Sequence, residues 1–479
     1  MSTRLTRFSS VNTPESTERT AISWGMVFLV VYTMVAVGRI QEVITPLAAV
    51  RIGFIFGMLA LVVWFNMPGS LSEKVPLDVK PIRYVLILLG LSVVTIPVGI
   101  WPGNSFTFLT GTYIKIVLLF LLIFWLCRSV RDIRRIIWGC GVALTVLVVS
   151  GLMSGNIGRP TGLATAAYVS KTYDPNDMAL VLVTMIPLLL YLFSTSGVLL
   201  KTVLVGLVLI NLYGIVQTQS RGGFLALLVV GGLILYRSTL SRQQKLVIAV
   251  LAMIVFGILA GNSYWDRIRT IWDPQTEYDR TAGGRTELWK TGFMLMAMHP
   301  WGVGIDGFVT AEGLSHGGSG KWSAPHNTFL QIGAELGIAG LIVFVLMLKW
   351  IFGELRAVQK ASLQLSSHLP SRKVEPGSNP PRGLIRRRAS PNRDRLNNLV
   401  PLAAALQTSL VGFVVGGFFL SQAYGSLFYA ILGMCLVTAR LAGRLPTSVE
   451  QFKKDAKQPR ALRFANRFGK QHEHSVRHQ

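Results

Sequence analysis

The chain alternates long apolar runs with short polar stretches, showing neither the two-residue alternation of half-buried strands nor the narrow stripe of soluble amphipathic helices. A helix of about 20 residues, rising about 1.5 Å per residue, crosses the hydrocarbon core of a bilayer, so runs of about 18 or more apolar residues read as membrane spans. Twelve runs qualify, at approximately 22–38, 43–66, 82–101, 109–127, 136–154, 178–196, 198–216, 222–237, 246–262, 326–350, 399–420 and 423–440. The pattern predicts an all-α, polytopic transmembrane protein of about twelve spans. The first run is short, the second contains Arg51, and 198–216 and 222–237 are joined by little chain.

One polar interruption, 263–325, is far longer than a connector requires, and loops of that length usually carry function. It contains a further helix. From Arg285 to Met298 the residues Leu288, Trp289, Gly292, Phe293, Leu295 and Met296 form a broad apolar face, and His299–Pro300 stops the run. This helix is expected to lie at the membrane surface, with Trp265, Trp272, Trp301 and Trp322 adding an aromatic belt.

Charge then sets orientation. The net charge of +25 would point to nucleic acid in a soluble chain, but 51% of the residues are hydrophobic and only 14% charged. With both termini cytoplasmic, the segments between spans on that side hold 35 of the 47 Lys and Arg, leaving +24 inside and +1 elsewhere. That is the positive-inside pattern, and it excludes nucleic acid as the partner. The layout is a cytoplasmic N-terminus 1–21, nine spans within 22–262, the outer loop 263–325, a tenth span 326–350, a basic loop 351–398, two spans within 399–440 and a basic tail 441–479. The polar start of the chain and the lack of a small-residue cleavage site make the first run an uncleaved span. The Pro- and Arg-rich stretch 353–398 and the tail from Arg444 have too little apolar surface to fold alone. They are expected to be solvated or to meet anionic lipid headgroups. Cys127, Cys140 and Cys435 fall in or at the ends of spans without metal or disulfide spacing, and are assigned to packing.

Candidate chemistry gathers on the outer side. Gly158–Arg159–Pro160–Thr161–Gly162 precedes Asp174–Pro175–Asn176–Asp177 at the outer start of a span. Gln219–Ser220–Arg221–Gly222–Gly223 opens another. There Ser220 suits an N-cap, Gly222 and Gly223 would let a ligand approach backbone N–H groups, and Arg221 is a bidentate phosphate donor. The alternative is an arginine anchoring a helix end, with glycines for close packing. Gly283–Gly284–Arg285–Thr286–Glu287 lies in the long loop, and Pro325–His326–Asn327 opens the span that follows. A neutral histidine such as His326 is the usual general base near pH 7, although a lone histidine at a helix start is also a common polar cap. Arg51 and Lys115 lie within apolar runs, where a cation either serves a site or snorkels to the headgroups. With Arg159, Arg221 and Arg285 they would form a basic, outward-opening pocket suited to a lipid-linked pyrophosphate. No His, Asp or Glu cluster has metal spacing, so no metal or other cofactor is expected.

These elements resemble a known family. His326–Asn327, nine residues, then Gly337–Ile338–Ala339–Gly340 is similar to the histidine signature of bacterial O-antigen ligases, and Ser220–Arg221–Gly222–Gly223 to that family's upstream Ser-Arg-Gly element. Gly284–Arg285 with Trp289, then His299–Pro300 and Gly302–Val303–Gly304, resembles the preceding loop segment, although the family often has leucine where Trp289 stands. The likeness covers roughly 155–345. It implies a bacterial inner-membrane glycosyltransferase moving a glycan from undecaprenyl pyrophosphate to a periplasmic acceptor: a lipid A-core sugar, a growing glycan or a protein hydroxyl. Arg221 and Arg285 would hold the pyrophosphate and His326 would act on the acceptor hydroxyl. Arg159, Asn176, Ser220, Gly222, Gly223, Asn327, Arg51 and Lys115 would complete the substrate site. An O-antigen polymerase of the same superfamily is the nearest alternative. A lipid-linked glycan flippase would instead require midplane charges on interrupted helices in paired halves.

Overall fold

The computed structural model describes residues 14–44, 46–47, 50–67, 79–154, 157, 173–261, 265, 284–318, 322–367 and 391–444. Among these residues every regular element is a helix. In chain order they are α1 (Pro14–Gly38), α2 (Ile40–Val43), α3 (Ile52–Phe65), α4 (Lys80–Val94), α5 (Pro102–Phe108), α6 (Ile114–Leu126), α7 (Val130–Met153), α8 (Pro175–Thr195), α9 (Val198–Gln217), α10 (Arg221–Arg237) and α11 (Arg242–Leu259). Then follow α12 (Gly284–Met298), α13 (Phe308–Ser315), α14 (Thr328–Glu335), α15 (Gly337–Ser367), α16 (Pro391–Gly417) and α17 (Ser426–Leu441). A π turn, Leu109–Tyr113, joins α5 to α6 into one continuous helix.

Each of the twelve apolar runs contains a helix, but fewer of these helices have the length of a span. Among the described residues seven stretches are long and apolar enough to cross a membrane: Pro102–Leu126, Val130–Met153, Pro175–Thr195, Val198–Gln217, Arg242–Leu259, Gly337–Ala361 and Asn398–Gly417. Trp24–Gly38, Ile52–Phe65 and Ser426–Leu441 are apolar but shorter. The core sits around α8 and α17, nearly all of whose residues are buried. Helix α8 packs on α16, α9, α10 and α7, and α17 on α6, α16 and α15. By contrast α11 has no buried residue: it meets its neighbours through a few contacts such as the ring pair Phe224–Phe256 (5.1 Å between centroids) and leaves most of its apolar surface bare. A long apolar helix so little covered by its neighbours belongs in lipid.

Two spans differ from the reading of the sequence. The run 43–66 is not one helix: α2 ends ahead of Pro46, and α3 begins only at Ile52. Helices usually stop at or before the residue preceding a proline, and this one does. Arg51 is therefore not inside a span but is the N-cap residue of α3, exposed and in left-handed backbone at φ 52. The run 326–350 is split into α14 and α15 at Leu336–Gly337. Here the chain from Pro300 to Gly304 crosses the break. The amides of Val303 and Gly304 donate to the carbonyls of Ala334 and Glu335 (2.8 and 3.1 Å), and Ile338 N–H donates to Pro300 (3.2 Å). The loop thus supplies the hydrogen bonds that an unbroken helix would have made internally.

Glycine makes the crossing possible. Gly302 has φ 95 and Gly337 φ 71; a Cβ on either would lie 2.3 Å from a backbone oxygen of the other strand, Glu335 O or Pro300 O. The far side of the same loop is held by Ile100 N–H on Val303 O (2.9 Å), Ser105 Oγ on Ile305 O (2.7 Å) and Asn104 Nδ2 on Asp306 O (3.0 Å).

At the other end α15 continues to Ser367 and α16 starts at Pro391, so helix reaches into the basic stretch 351–398 from both sides. The remainder of that stretch, most of the tail 441–479, and Trp272 and Arg159 lie outside the described residues.

Candidate active site

Helix α12 forms where the sequence predicts it, and His299 N–H closes its last turn on Leu295 O (2.8 Å). Its apolar residues divide between two surroundings. Leu288 and Leu295 are buried and Gly292 faces Phe308 and Leu330, whereas Phe293, Met294 and Met298 are exposed. The helix therefore packs on α14 and α13 with one face and offers the other to the surroundings. Near its start, the Trp289 indole N–H donates to the carbonyl of Pro325 (3.1 Å), the residue before His326. Arg285 is one turn earlier on the same face, half-buried, so α12 brings it to the His326 end of α14.

His326 is half-buried at φ 46, two residues ahead of α14, in left-handed backbone that L-residues seldom adopt. Asn327 is the cap of α14, its Oδ1 accepting from the amides of Phe329 (2.9 Å) and Leu330 (3.1 Å). That oxygen is thereby committed to the fold rather than to a ligand.

The organising segment is 418–425 between α16 and α17, which the pattern of runs divides between two spans, leaving only 421–422 as a connector. Thr328 Oγ1 donates to Leu420 O (2.7 Å) and accepts from Gln422 N–H (3.1 Å); Gln331 Oε1 accepts from Ala423 N–H (3.2 Å). The Phe418 ring meets Trp289 edge-on at 5.5 Å between centroids. Phe419 packs against Gly222, and the Gln422 side chain lies beside Asp177. Three elements therefore converge on this link: the start of α10 with Arg221, the start of α12 with Arg285, and the His326 end of α14. The start of α8, with Asn176, meets it as a fourth. Ser421–Gln422, the polar pair between the runs 399–420 and 423–440, was the available signal in the sequence.

The Ser220 element has a more structural character than a ligand cradle needs. Ser220 caps α10, its Oγ accepting from Gly223 N–H (3.1 Å), so that amide is already engaged. A Cβ at Gly223 would lie 2.5 Å from Ala179 Cβ, and one at Gly222 3.2 Å from Phe419 Cβ. Both glycines are helix-packing positions, the alternative that the sequence left open. Arg221 itself is half-buried at the helix start. Asn176 is buried beside Asp174, which caps α8 by accepting from Asp177 N–H (2.7 Å).

Arg51 and Lys115 do not join this group. They line a separate cavity of about 510 Å³ between α1, α3 and α6, whose walls include none of Arg221, Arg285 and His326. Arg39, in the same cavity, was not foreseen because it directly follows an apolar run. Near the loop crossing, Asp306 is largely buried, which raises its carboxyl above the ordinary range; the hydrogen bond from Asn104 pulls the other way. Glu335 is 2% exposed with Oε2 making no hydrogen bond.

Fold and site together describe a multi-pass helical membrane protein in which the helix starts carrying Arg221 and Arg285 and the turn carrying His326 all adjoin the 418–425 link. Residues 206–345 match the model of the O-antigen ligase family (Wzy_C). The match takes in Ser220–Gly223, the loop helix, His326 and Gly337–Gly340, and stops short of the 418–425 link. No curated protein matches the chain.

Proposed function

We propose that the chain is an O-antigen ligase-type glycosyltransferase that moves a glycan from undecaprenyl pyrophosphate to an acceptor hydroxyl at the periplasmic face of the bacterial inner membrane, with both termini cytoplasmic. The supporting observation is that the helix starts bearing Arg221 and Arg285 and the turn bearing His326 adjoin one link, in a chain whose residues 206–345 match the model of that family. Arg221 and Arg285 bind the pyrophosphate of the donor. As the bond from the sugar's anomeric carbon to the pyrophosphate oxygen breaks, its electron pair passes to that oxygen, and the two guanidinium groups stabilise the growing charge. The acceptor oxygen forms the new bond from the opposite face, inverting the anomeric centre, and His326 takes its proton. With two fixed cations on the leaving group, transfer is expected to proceed without a metal ion.

Polymerisation, in which the acceptor is another glycan chain, uses the same donor chemistry and is the second reading. Transport is disfavoured because the one broken helix in this region has its gap filled by the backbone of residues 300–304 rather than left open to a cavity.

The test is direct. Purified full-length protein is incubated with an undecaprenyl-pyrophosphate glycan and, separately, with lipid A-core, glycan or peptide acceptors. Release of undecaprenyl pyrophosphate coupled to one acceptor is expected, unchanged by chelator. Glycan transfer by His326→Ala or Arg221→Ala protein at the wild-type rate refutes the assignment, as does a strict metal requirement.

A further inference from the structure

The cavity between α1, α3 and α6 concentrates positive charge away from the proposed transfer site. Arg39, Arg51 and Lys115 line it, and none of its lining residues is an Asp or Glu. Two of the lining side chains have buried polar atoms with no hydrogen-bond partner, Arg39 Nε and Gln41 Oε1. Both atoms are shielded from solvent and so packed into the protein, and the Arg39 guanidinium also lies over the Tyr173 ring at 5.8 Å; the charge a ligand would meet is that of the guanidinium and ammonium groups lining the cavity. A side-chain amide can turn over, so Gln41 can present either its donor or its acceptor. Arg39 and Arg51, at φ 51 and 52, both hold left-handed backbone at the turn joining α1 to α3. Such a conformation in a non-glycine residue persists where the surroundings impose it, and here it occurs at both cations of the turn.

Val35, Ile52, Phe54 and Ile116 line the same cavity, and Phe54 is 58% exposed on a helix whose outward face continues through Ile55, Met58, Leu59 and Val62. The cavity therefore combines cationic side chains with an adjoining bare apolar helix face. That arrangement matches an amphiphile with an anionic head and hydrocarbon chains. Guanidinium groups bind phosphate oxygens in pairs and a lysine adds a compact point charge.

We propose that this cavity holds the phosphate-bearing headgroup of a membrane lipid, at a site distinct from the one formed around Arg221, Arg285 and His326. The binding involves no transfer chemistry and is independent of the glycosyltransferase reading. Ser426 lines the cavity and donates to Ala36 O (2.7 Å), so an occupant braces the start of α17, directly beyond the 418–425 link.

Cys127, Cys140 and Cys435 are all buried, so a cysteine introduced as Phe54→Cys into the full chain is the accessible thiol for an environment-sensitive fluorophore. The labelled protein, in nanodiscs of phosphatidylcholine, is titrated with phosphatidic acid. A saturable signal is expected from phosphatidic acid and none from further phosphatidylcholine. Near a membrane surface each cation contributes about fivefold in affinity, so Arg51→Gln with Lys115→Gln should weaken binding roughly 25-fold. The charge-conserving pair Arg51→Lys with Lys115→Arg should retain most of the binding, which separates loss of charge from loss of fold. Native mass spectrometry of the unlabelled proteins should show the same loss of retained phosphatidic acid in the glutamine pair. Unchanged affinity in that pair, or equal response to phosphatidylcholine, overturns the proposal. So does inorganic phosphate binding as tightly as the lipid, which would make this a free-anion site.

Discussion

Replacing Gly337 by alanine tests the backbone crossing that holds the loop over the site. The new Cβ would lie 2.3 Å from Pro300 O and 2.8 Å from Trp301 C, where contacts under 3.0 Å are essentially never made, so the two strands must part by about 0.7 Å. Left-handed backbone in a residue with a Cβ adds about 1–2 kcal/mol. Three hydrogen bonds span the crossing, from Val303, Gly304 and Ile338, and weakening two or three of them costs about 1 kcal/mol each. Together the variant should lose roughly 3–5 kcal/mol of stability. The loop also feeds α12 and α14, so a shift of this size reaches Arg285 and His326, and a misplacement approaching 1 Å typically costs about 100-fold in rate. The assay pairs thermal unfolding of the purified protein with glycan transfer from the polyprenyl-pyrophosphate donor. Gly353→Ala is the control: it lies on the same helix, α15, with nothing within 4 Å of the added Cβ, and should be neutral or slightly stabilising. Equal unfolding temperatures and transfer rates for Gly337→Ala, Gly353→Ala and wild type would refute the reasoning.

Three further outcomes follow from contacts at the site. Thr328→Val keeps the shape of the side chain but removes both hydrogen bonds to the 418–425 link, and should cost about 2 kcal/mol, read as a lower unfolding midpoint. Trp289→Phe keeps a ring against Phe418 but loses the donor to Pro325; transfer should fall about fivefold or more while donor binding through Arg221 persists, measured as separate kcat and KM changes. Asp306 has a folded-state pKa raised by burial, so its contribution to stability is full below the ordinary value of 3.8 and is lost as pH rises towards the raised value. Asp306→Asn should flatten that part of the stability profile, and an identical profile in the variant would rule out Asp306 as its source.

Much of this architecture is legible from local pattern. Each apolar run holds a helix because a sustained run has few other ways to satisfy its backbone in lipid. The loop helix 284–298 announces itself by its apolar face and its His299–Pro300 stop. Ser220 as a cap follows from side-chain chemistry. What escaped the sequence is long-range. The break at Leu336–Gly337 lies inside an uninterrupted apolar run, and it exists because residues 300–304 pair with it across the fold. Gly222 and Gly223 are ambiguous until Phe419 and Ala179 are seen against them. The single basic pocket read from five cations divides, because Arg51 and Lys115 line a cavity at α3 and α6 while the helix starts that carry Arg221 and Arg285 adjoin the 418–425 link. Sequence spacing reports depth along a helix, not which neighbours surround it.

The position of the 418–425 link late in the chain has a consequence for biogenesis. Thr328 reaches across 92 residues to Leu420, and Gly222 across nearly two hundred to Phe419. Every earlier polar element has therefore left the ribosome well before its partner is made. A nascent protein holding α1 to α15 already has the α12–α14 pair but lacks the link that joins it to the start of α10, which forms only when α16 and α17 dock. Truncation ahead of α16 is therefore expected to leave the start of α10 without its Phe419 contact.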